Sequence, residues 1–482
     1  MKIRTFHLST SLVATLCGCH AVGPDYKRPD ITAPTGYIGG NEQGGIVSTQ
    51  VDPAKLARWW ECFSSAQLKS LVERSIEGNR DLKIAASRVR EAKALRRVSR
   101  AGMAPSIDIG ASGRRSRNSE RVEFGFGGER ESTFFDVGAD ASWELDLFGG
   151  VRRGVEASDA DLAAAIEGGR EVLVSLVAEV ASSYIELRSY QERIAVVEGA
   201  IRSQRDTAEL IKTRMDAGLS AELEYRQALA QVSLRESRLP ALKAGERRAM
   251  YRLGVLVGGF PDALSSELIV ADAQTGAETV IPIGAPGELL LRRPDLRRAE
   301  RELAAATARI GVETANLYPR LTLNGSFAFE AADPGRVFDM NARSWNLGPA
   351  IRWNLFDGGR TRARVMAADE RAQAALIAFE QSFALAIEET ENALVAFTQE
   401  DSKLRSLSEA EQSNTRAVEL AQERYKSGVG GFIDVLDSQR TLYDTQEELS
   451  AGKANALLAY VSIYRSLGGG WSDDEVSAST SK

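Results

Sequence analysis

Histidine and cysteine are scarce in this chain. Only two of its 482 residues are histidine and three are cysteine. The sequence contains no cluster of metal-ligand residues, no serine nucleophile elbow and no phosphate-binding loop. We therefore expect a protein that is not an enzyme and that needs neither a cofactor nor a bound metal.

Long apolar runs and an excess of positive charge are also lacking. No stretch approaches the roughly 18 to 20 apolar residues that a membrane-spanning helix needs, and the mean hydropathy is -0.22. Lysine and arginine together number 60 against 67 acids, a net charge of -7 with neutral histidine. This balance gives no general electrostatic reason to bind nucleic acid.

Residues 1–18 have the pattern of a secretory signal. Two basic residues precede a short apolar stretch over 8–18, which is too short to remain as a membrane helix. The stretch ends Leu-Cys-Gly-Cys and resembles a bacterial lipobox, which predicts cleavage before Cys19 and lipidation of its thiol. His20, where an aspartate would imply retention at the inner membrane, implies sorting to the outer membrane. Ordinary cleavage that releases a soluble product is the alternative.

The chain repeats itself at a spacing close to 210 residues. Residues 207–218 correspond to 417–428 at a shift of 210, and Pro105 corresponds to Pro319 at a shift of 214. Each copy is predicted to run helix, two strands, long helix, glycine turn and helix. The predicted segments are the signal 1–18, an N-terminal belt segment 19–60, the first repeat 61–258, an inter-repeat belt segment 259–286, the second repeat 287–467 and a tail 468–482.

Four segments alternate strictly between apolar and polar residues, which predicts strands with one apolar face. Each has about nine to eleven residues, the length of a tilted transmembrane strand. A soluble sandwich with one wet face is the alternative. Trp345 and Trp353 at the ends of the last segment fit interfacial girdles. The segments are one near residue 107 and those at 135–145, 320–329 and 345–355, with surface loops predicted at 113–132 and 330–343.

A four-stranded sheet has two open edges, and lipid cannot satisfy unpaired backbone groups. The sheet must therefore close. Since about eight strands are the practical minimum for a barrel, several chains must contribute to one barrel. Three chains would supply twelve strands.

Two long stretches, residues 151–217 and 360–427, contain no proline and are rich in Ala, Glu, Arg and Gln. As helices each would reach roughly 100 Å. Their apolar residues recur at helical spacing, which indicates helix packing. Gly218 and Gly428 are predicted to end these helices as left-handed C-cap residues. Long antiparallel helices from several chains could then form the wall of a tube.

The sequence resembles the TolC-like outer membrane efflux proteins, in particular the OprM/NodT-type lipoprotein branch. The resemblance covers nearly the whole chain and is most specific at Leu-Leu-Leu-Arg-Arg-Pro-Asp-Leu over 289–296, with further matches at 23–26 and 143–149. It implies a mainly α fold with a transmembrane β-barrel: a homotrimer with twelve strands, four per chain, continued by a periplasmic α-helical barrel with an equatorial belt.

The same resemblance implies a function. Such channels dock on a periplasmic adaptor (membrane fusion) protein and an inner-membrane pump of the resistance-nodulation-division (RND) type. They export small molecules such as drugs or toxic compounds through the outer membrane. Two alternatives remain open, a periplasmic coiled-coil adaptor lipoprotein and the outer duct of a type I protein secretion system. The first alternative would lack four amphipathic strands placed symmetrically in a duplicated chain.

The resemblance also implies a periplasmic gate. Asp434 and Asp437 are three apart and share one face of a helix start, and they resemble the TolC aspartate ring. Acids that merely stabilise the helix N-terminus are the alternative. Tyr425 matches the gate tyrosine of the family, and Glu224 occupies the place of its carboxylate partner.

One charged group of the TolC latch is missing, because TolC has an arginine where this chain has Gly430. We therefore expect closure to depend on apolar contacts of Phe432 and Leu436. The turns at 217–221 and 427–431 are predicted to contact the adaptor. Their predicted contact residues are Gly218, Leu219, Ser220, Gly428, Val429 and Gly430.

Overall fold

The computed structural model describes residues 21–38, 47–48, 53–119, 121, 131–269, 281–282 and 285–472. The predicted signal and Cys19 lie outside the described residues. The helices are α1 Pro53–Ala57, α2 Ala66–Gly78, α3 Arg80–Ala101, α4 Gly150–Asp216, α5 Glu222–Glu236, α6 Leu239–Leu256, α7 Ser265–Leu268, α8 Leu289–Arg292, α9 Pro294–Ala315, α10 Arg360–Lys426 and α11 Phe432–Ser466. The strands are β1 Val47–Ser48, β2 Ser106–Arg117, β3 Glu131–Leu145, β4 Ile281–Pro282, β5 Arg320–Ala331 and β6 Arg343–Arg352.

The chain forms two compact units. Unit 1 comprises Met1–Asp30, Arg88–Ile166 and Arg298–Glu380, and unit 2 comprises Ile31–Ser87, Glu167–Arg297 and Gln381–Lys482. Each unit takes residues from both predicted repeats, so the units and the repeats divide the chain differently. The predicted segment boundaries stay a prediction.

Unit 1 contains an antiparallel sheet in the order β2-β3-β5-β6. All four segments predicted as strands are strands, and β2 and β6 are the two edges. The apolar positions meet across the ladder: Ile109 lies opposite Ala139, and Phe327 lies opposite Trp345. The sheet therefore has one apolar and one polar face, as the alternation predicts.

The strand ends differ from the predicted ends. Strand β2 runs to Arg117 and β3 begins at Glu131, whereas the sequence predicts a loop over 113–132. The backbone ladder continues to the pair Arg117 and Glu131, and a cross-strand ion pair joins Arg115 Nη2 to Glu131 Oε2 at 2.9 Å. Strand β6 ends at Arg352, so Trp353 and Leu355 lie beyond it.

Two tryptophans form the same hydrogen bond in the two copies. Trp143 Nε1 donates to the Met103 carbonyl at 3.0 Å, and Trp353 Nε1 donates to the Leu317 carbonyl at 3.1 Å. Each acceptor lies just past the end of α3 or α9, where helix carbonyls lose their partners in the helix. The indoles therefore fix the two passages from helix to strand.

The segment after residue 20 packs within unit 1. Val22 N–H donates to the Phe148 carbonyl at 3.0 Å. Gly23 has φ +90°, and a Cβ there would lie 2.4 Å from the Gly311 Cα. Arg153, buried to 4% side-chain exposure, pairs with Asp25 at 2.6 Å. These contacts hold the N-terminal segment beside the start of α4.

Unit 2 is built around an apolar core on α4, α2, α6 and α11. The predicted stripe of α4 is buried, with Val177, Val180 and Leu187 fully so. Trp59 stacks on Tyr464 with ring centres 5.4 Å apart. Helical spacing therefore correctly predicted which face of α4 packs.

Parts of the two predicted belt segments and of the predicted tail meet in unit 2. Strand β1 pairs in parallel with β4, and the Gly470 N–H donates to the Leu56 carbonyl at 3.0 Å. Pro294 opens α9, and Asp295 lies in its first turn, where the missing amide hydrogen of a proline costs no helix hydrogen bond.

The two copies differ in the helix that follows the glycine turn. The sequence predicts one helix in each copy. The first copy instead breaks between α5 and α6 at Ser237 and Arg238, whereas α11 is continuous for 35 residues. Pro240 explains the break, because it lacks an N–H for the Glu236 carbonyl and its ring clashes with that carbonyl.

In the part of the chain that the structure describes, no helix combines the length and the apolar character needed to cross a membrane. Within the same residues no group of three or more His, Cys, Asp or Glu side chains is placed to hold a metal ion.

Candidate functional site

The two glycine turns of unit 2 have the same geometry. Gly218 has φ +74° and Gly428 has φ +73°. The next residue of each turn donates back into the helix, Leu219 N to the Arg214 carbonyl at 2.8 Å and Val429 N to the Arg424 carbonyl at 3.0 Å. Both α4 and α10 thus end in Schellman turns, and both glycines are the left-handed C-caps that were predicted.

The turns expose apolar side chains. Leu219 is 69% exposed and Val429 is 73% exposed. At the starts of the following helices, Leu223 and Ile433 are also largely exposed. These two pairs occupy equivalent places in the two copies, at a shift of 210 residues. Each turn therefore offers two adjacent apolar side chains to a partner.

Behind the turns lies a small apolar core, defined here as the tip core. It joins the ends of α4 and α10 to the starts of α5 and α11. Phe432 is 2% exposed and Leu436 is 7% exposed, so both lie inside the protomer. Helical spacing places both side chains on the inward face of α11, and their part in closing the channel stays a prediction. The buried members are Ala208, Ile211, Ala228, Tyr425, Phe432, Val435 and Leu436.

Tyr425 connects the two copies within the tip core. Its hydroxyl lies 3.2 Å from Ser220 Oγ, whereas the sequence predicted Glu224 as its partner. Its ring lies 5.5 Å from the Phe432 ring, and the Arg214 guanidinium lies 5.0 Å from its centre. Arg214 is not among the predicted site residues, because no local pattern pairs the last turn of α4 with that of α10.

The two predicted gate acids lie on the exposed side of α11, away from the tip core. Asp434 Oδ2 accepts a hydrogen bond from the Gly431 N–H at 3.3 Å, as an acid in a first turn does. Asp437 Oδ1 accepts from Arg440 Nη2 at 2.5 Å. Both acids thus have local roles at the helix start, and their outward direction leaves them free to face other chains.

A model of the outer membrane efflux protein family matches residues 71–259 and 285–469. The chain belongs to this family. The solvent efflux pump outer membrane protein SrpC of Pseudomonas putida is 31% identical over 98% of this chain and 99% of its own length. The outer membrane protein OprJ of Pseudomonas aeruginosa is 30% identical over 98% of both chains. Nodulation protein T of Rhizobium leguminosarum bv. trifolii is 30% identical over 95% of both.

Solved structures agree with this assignment. The outer-membrane channel OprN superposes with a TM-score of 0.86 at 37% identity, covering 93% of this chain and 99% of its own. CusC superposes with a TM-score of 0.82 at 26% identity, covering 94% of this chain and all of its own. The fold is therefore TolC-like, and the chain is an outer-membrane efflux channel subunit. The alternative of a coiled-coil adaptor is wrong.

Proposed function

We propose that this chain forms the exit duct for small organic molecules, in the class of solvents, drugs and siderophores. Support comes from relatives of nearly full length whose names specify solvent efflux, toluene efflux and pyoverdine export. The duct itself performs no bond chemistry and is not an enzyme. Export is driven by an inner-membrane pump of the RND type, which the duct reaches through a periplasmic adaptor.

The working form is a homotrimer in the outer membrane. Each protomer contributes β2, β3, β5 and β6 to a barrel of twelve strands. The edges β2 and β6 pair with neighbouring protomers, because backbone groups left open in lipid are costly. The apolar face of the sheet meets lipid and the polar face lines the channel.

A lipid anchor on Cys19 would hold the protomer at the membrane. Ala21 lies against Gly149, where an added Cβ would come within 2.4 Å of the Ala21 Cβ. The two residues from Cys19 to Ala21 span about 7 Å at most. An acyl group on Cys19 would therefore be tethered close to the base of β3, which ends at Leu145.

The gate is proposed to lie at the glycine turns. Asp434 and Asp437 of three protomers would form an acidic ring, while Tyr425, held by Ser220 and Arg214, keeps the helix ends together. Phe432 and Leu436 support this arrangement from within the tip core, and Glu224, in the first turn of α5, is the carboxylate predicted for the gate. The adaptor would contact the exposed residues of the two turns, which are Gly218, Leu219, Ser220, Gly428, Val429 and Gly430.

The test is complementation in a host that lacks its own outer channel and expresses a matching adaptor and pump. The wild-type chain should restore growth in toluene and efflux of a fluorescent drug. Leu219→Asp with Val429→Asp should abolish both without loss of trimers in outer-membrane fractions. Glu209→Gln, on the same hairpin but away from the turns, is the control. A correctly assembled wild-type trimer that restores no export with any such adaptor and pump would refute the proposal.

A further inference from the structure

Three arginines and two carboxylates meet where the first copy breaks its helix. Arg238, between α5 and α6, donates from Nη1 to Asp444 Oδ1 at 3.0 Å and to Glu447 Oε2 at 2.7 Å. Arg235 of α5 donates to the same Asp444 oxygen at 2.9 Å. Arg193 of α4 donates to Glu447 Oε1 at 3.0 Å. These five residues are termed the hinge cluster.

The hinge cluster gathers three elements of the first copy on one face of α11. Asp444 and Glu447 are three residues apart, so their side chains project from the same side of the helix. Arg193 comes from α4, Arg235 from the last turn of α5, and Arg238 from the break itself. A movement of α5 relative to α11 must therefore stretch or exchange several of these hydrogen bonds.

Burial makes the hinge cluster different from the many ion pairs on the surface of the chain. The side chain of Arg235 is 3% exposed, and that of Glu447 is 15% exposed. Arg235 also donates from Nη2 to the Arg440 carbonyl at 3.2 Å, and its guanidinium lies 5.7 Å from the centre of the Tyr443 ring. Arg238 and Asp444 are more open, with side-chain exposures of 39% and 41%. The charges of the buried members are screened less by solvent, and each acid keeps one other arginine when Arg238 is removed.

The position of the hinge cluster relates it to the gate. The helix break between α5 and α6, termed the joint, interrupts the first copy, whereas the corresponding helix of the second copy, α11, is continuous. Asp444 follows Phe432 by twelve residues on α11, which is about 18 Å along the helix. The helix that begins with Phe432, Asp434 and Asp437 is thus the helix that Arg238 binds.

We propose that Arg238 is a positioning residue that holds the joint between α5 and α6 against α11 and thereby keeps the channel closed at rest. Its two donated hydrogen bonds bridge both acids, so it sets the rotation of α11 as well as its distance from the joint. Opening requires Asp444 and Glu447 to release Arg238. The inference rests on the proposed function, because a resting closed state has meaning only for a channel.

The test compares Arg238→Gln with wild type in the complemented host and in planar bilayers. Arg238→Gln should cause a several-fold fall in the vancomycin concentration that stops growth, and a higher open fraction of the purified trimer. Arg238→Lys should restore part of the closure, since lysine keeps the charge but lacks the fixed donor directions of a planar guanidinium, whose Nη1 donates to both acids. Lys453→Gln is the matched control: Lys453 pairs with Glu192 at 3.2 Å and joins α4 to α11 away from the break.

Two outcomes would overturn the proposal. The first is an Arg238→Gln trimer that excludes vancomycin and conducts like wild type while it still exports toluene, a result that leaves the proposed function intact. The second is equal leakage in Lys453→Gln. If Arg238→Gln does not assemble, the double variant Arg238→Cys, Asp444→Cys tests the proposal instead. Its disulfide should block export until it is reduced. Unimpeded export with the disulfide formed would refute the role of Arg238.

Discussion

Replacing Phe432 by alanine tests whether the tip core, rather than contacts at the rim, keeps the helix ends closed. Phe432 is 2% exposed and packs against the Tyr425 ring. Truncation of a buried phenylalanine costs about 3 to 5 kcal/mol. Since about 1.4 kcal/mol is a factor of ten, the equilibrium between undocked and docked helix ends should shift by roughly two to three and a half orders of magnitude. The effect should stay local, because the tip core is separate from the main core of unit 2.

Amide hydrogen exchange on the purified trimer measures this shift directly. Exchange should accelerate in the last turn of α10 and the first turns of α11 in Phe432→Ala, while the main core stays protected. The neighbouring Ile433→Ala is the control, because Ile433 is 59% exposed and loses little packing. If Ile433→Ala makes cells sensitive to vancomycin and Phe432→Ala does not, closure depends on contacts at the rim and our reasoning is wrong.

Three further predictions concern single contacts. Tyr425→Phe and Ser220→Ala each remove the same hydrogen bond, so each should cost about 0.5 to 1.5 kcal/mol, and the double variant should cost little more than either; hydrogen exchange at the turns checks this. Gly311→Ala should lower the unfolding temperature of the trimer, since the added Cβ would lie 2.8 Å from the backbone carbonyl oxygen of Val22. Gly154→Ala is the control and should not lower it, because the space around Gly154 is open. Equal unfolding temperatures of the two variants would contradict the packing of the N-terminal segment. Burial raises the pKa of Glu447, but hydrogen bonds from arginines outweigh burial and hold the pKa below its ordinary value. The contribution of Glu447 to the free energy of unfolding is therefore complete at neutral pH and is lost as the pH falls through that lowered pKa. Acid should thus reduce the unfolding temperature of wild type more than that of Glu447→Gln.

The regular parts of the fold could be predicted from the sequence because their patterns are local. Alternation located all four strands of the large sheet, and helical spacing located the buried stripe of α4. Glycines at 218 and 428 marked the helix ends, since a left-handed C-cap favours glycine. The charged residues at the strand ends predict a loop, because a pair such as Arg115 and Glu131 becomes visible only once the register is known.

The contacts that the sequence could not predict join distant residues. Helical spacing places Phe432 and Leu436 on the inward face of α11, but spacing does not show that they pack with Tyr425 of α10. Ser220 and Tyr425 lie 205 residues apart in sequence, so no local pattern connects them. The broken helix of the first copy, by contrast, has a local cause in Pro240, which a sequence pattern can reveal.

The paired tryptophan contacts have a consequence for how deeply the trimer sits in its bilayer. Trp143 and Trp353 are both partly exposed, and each is held by its indole nitrogen at the foot of a hairpin. Indole rings favour the headgroup region, so three protomers carry six rings that mark one level of the membrane. Quenching of their fluorescence by lipids brominated at known depths would measure how deep these rings lie, and so would locate the periplasmic boundary of the outer membrane on the protein.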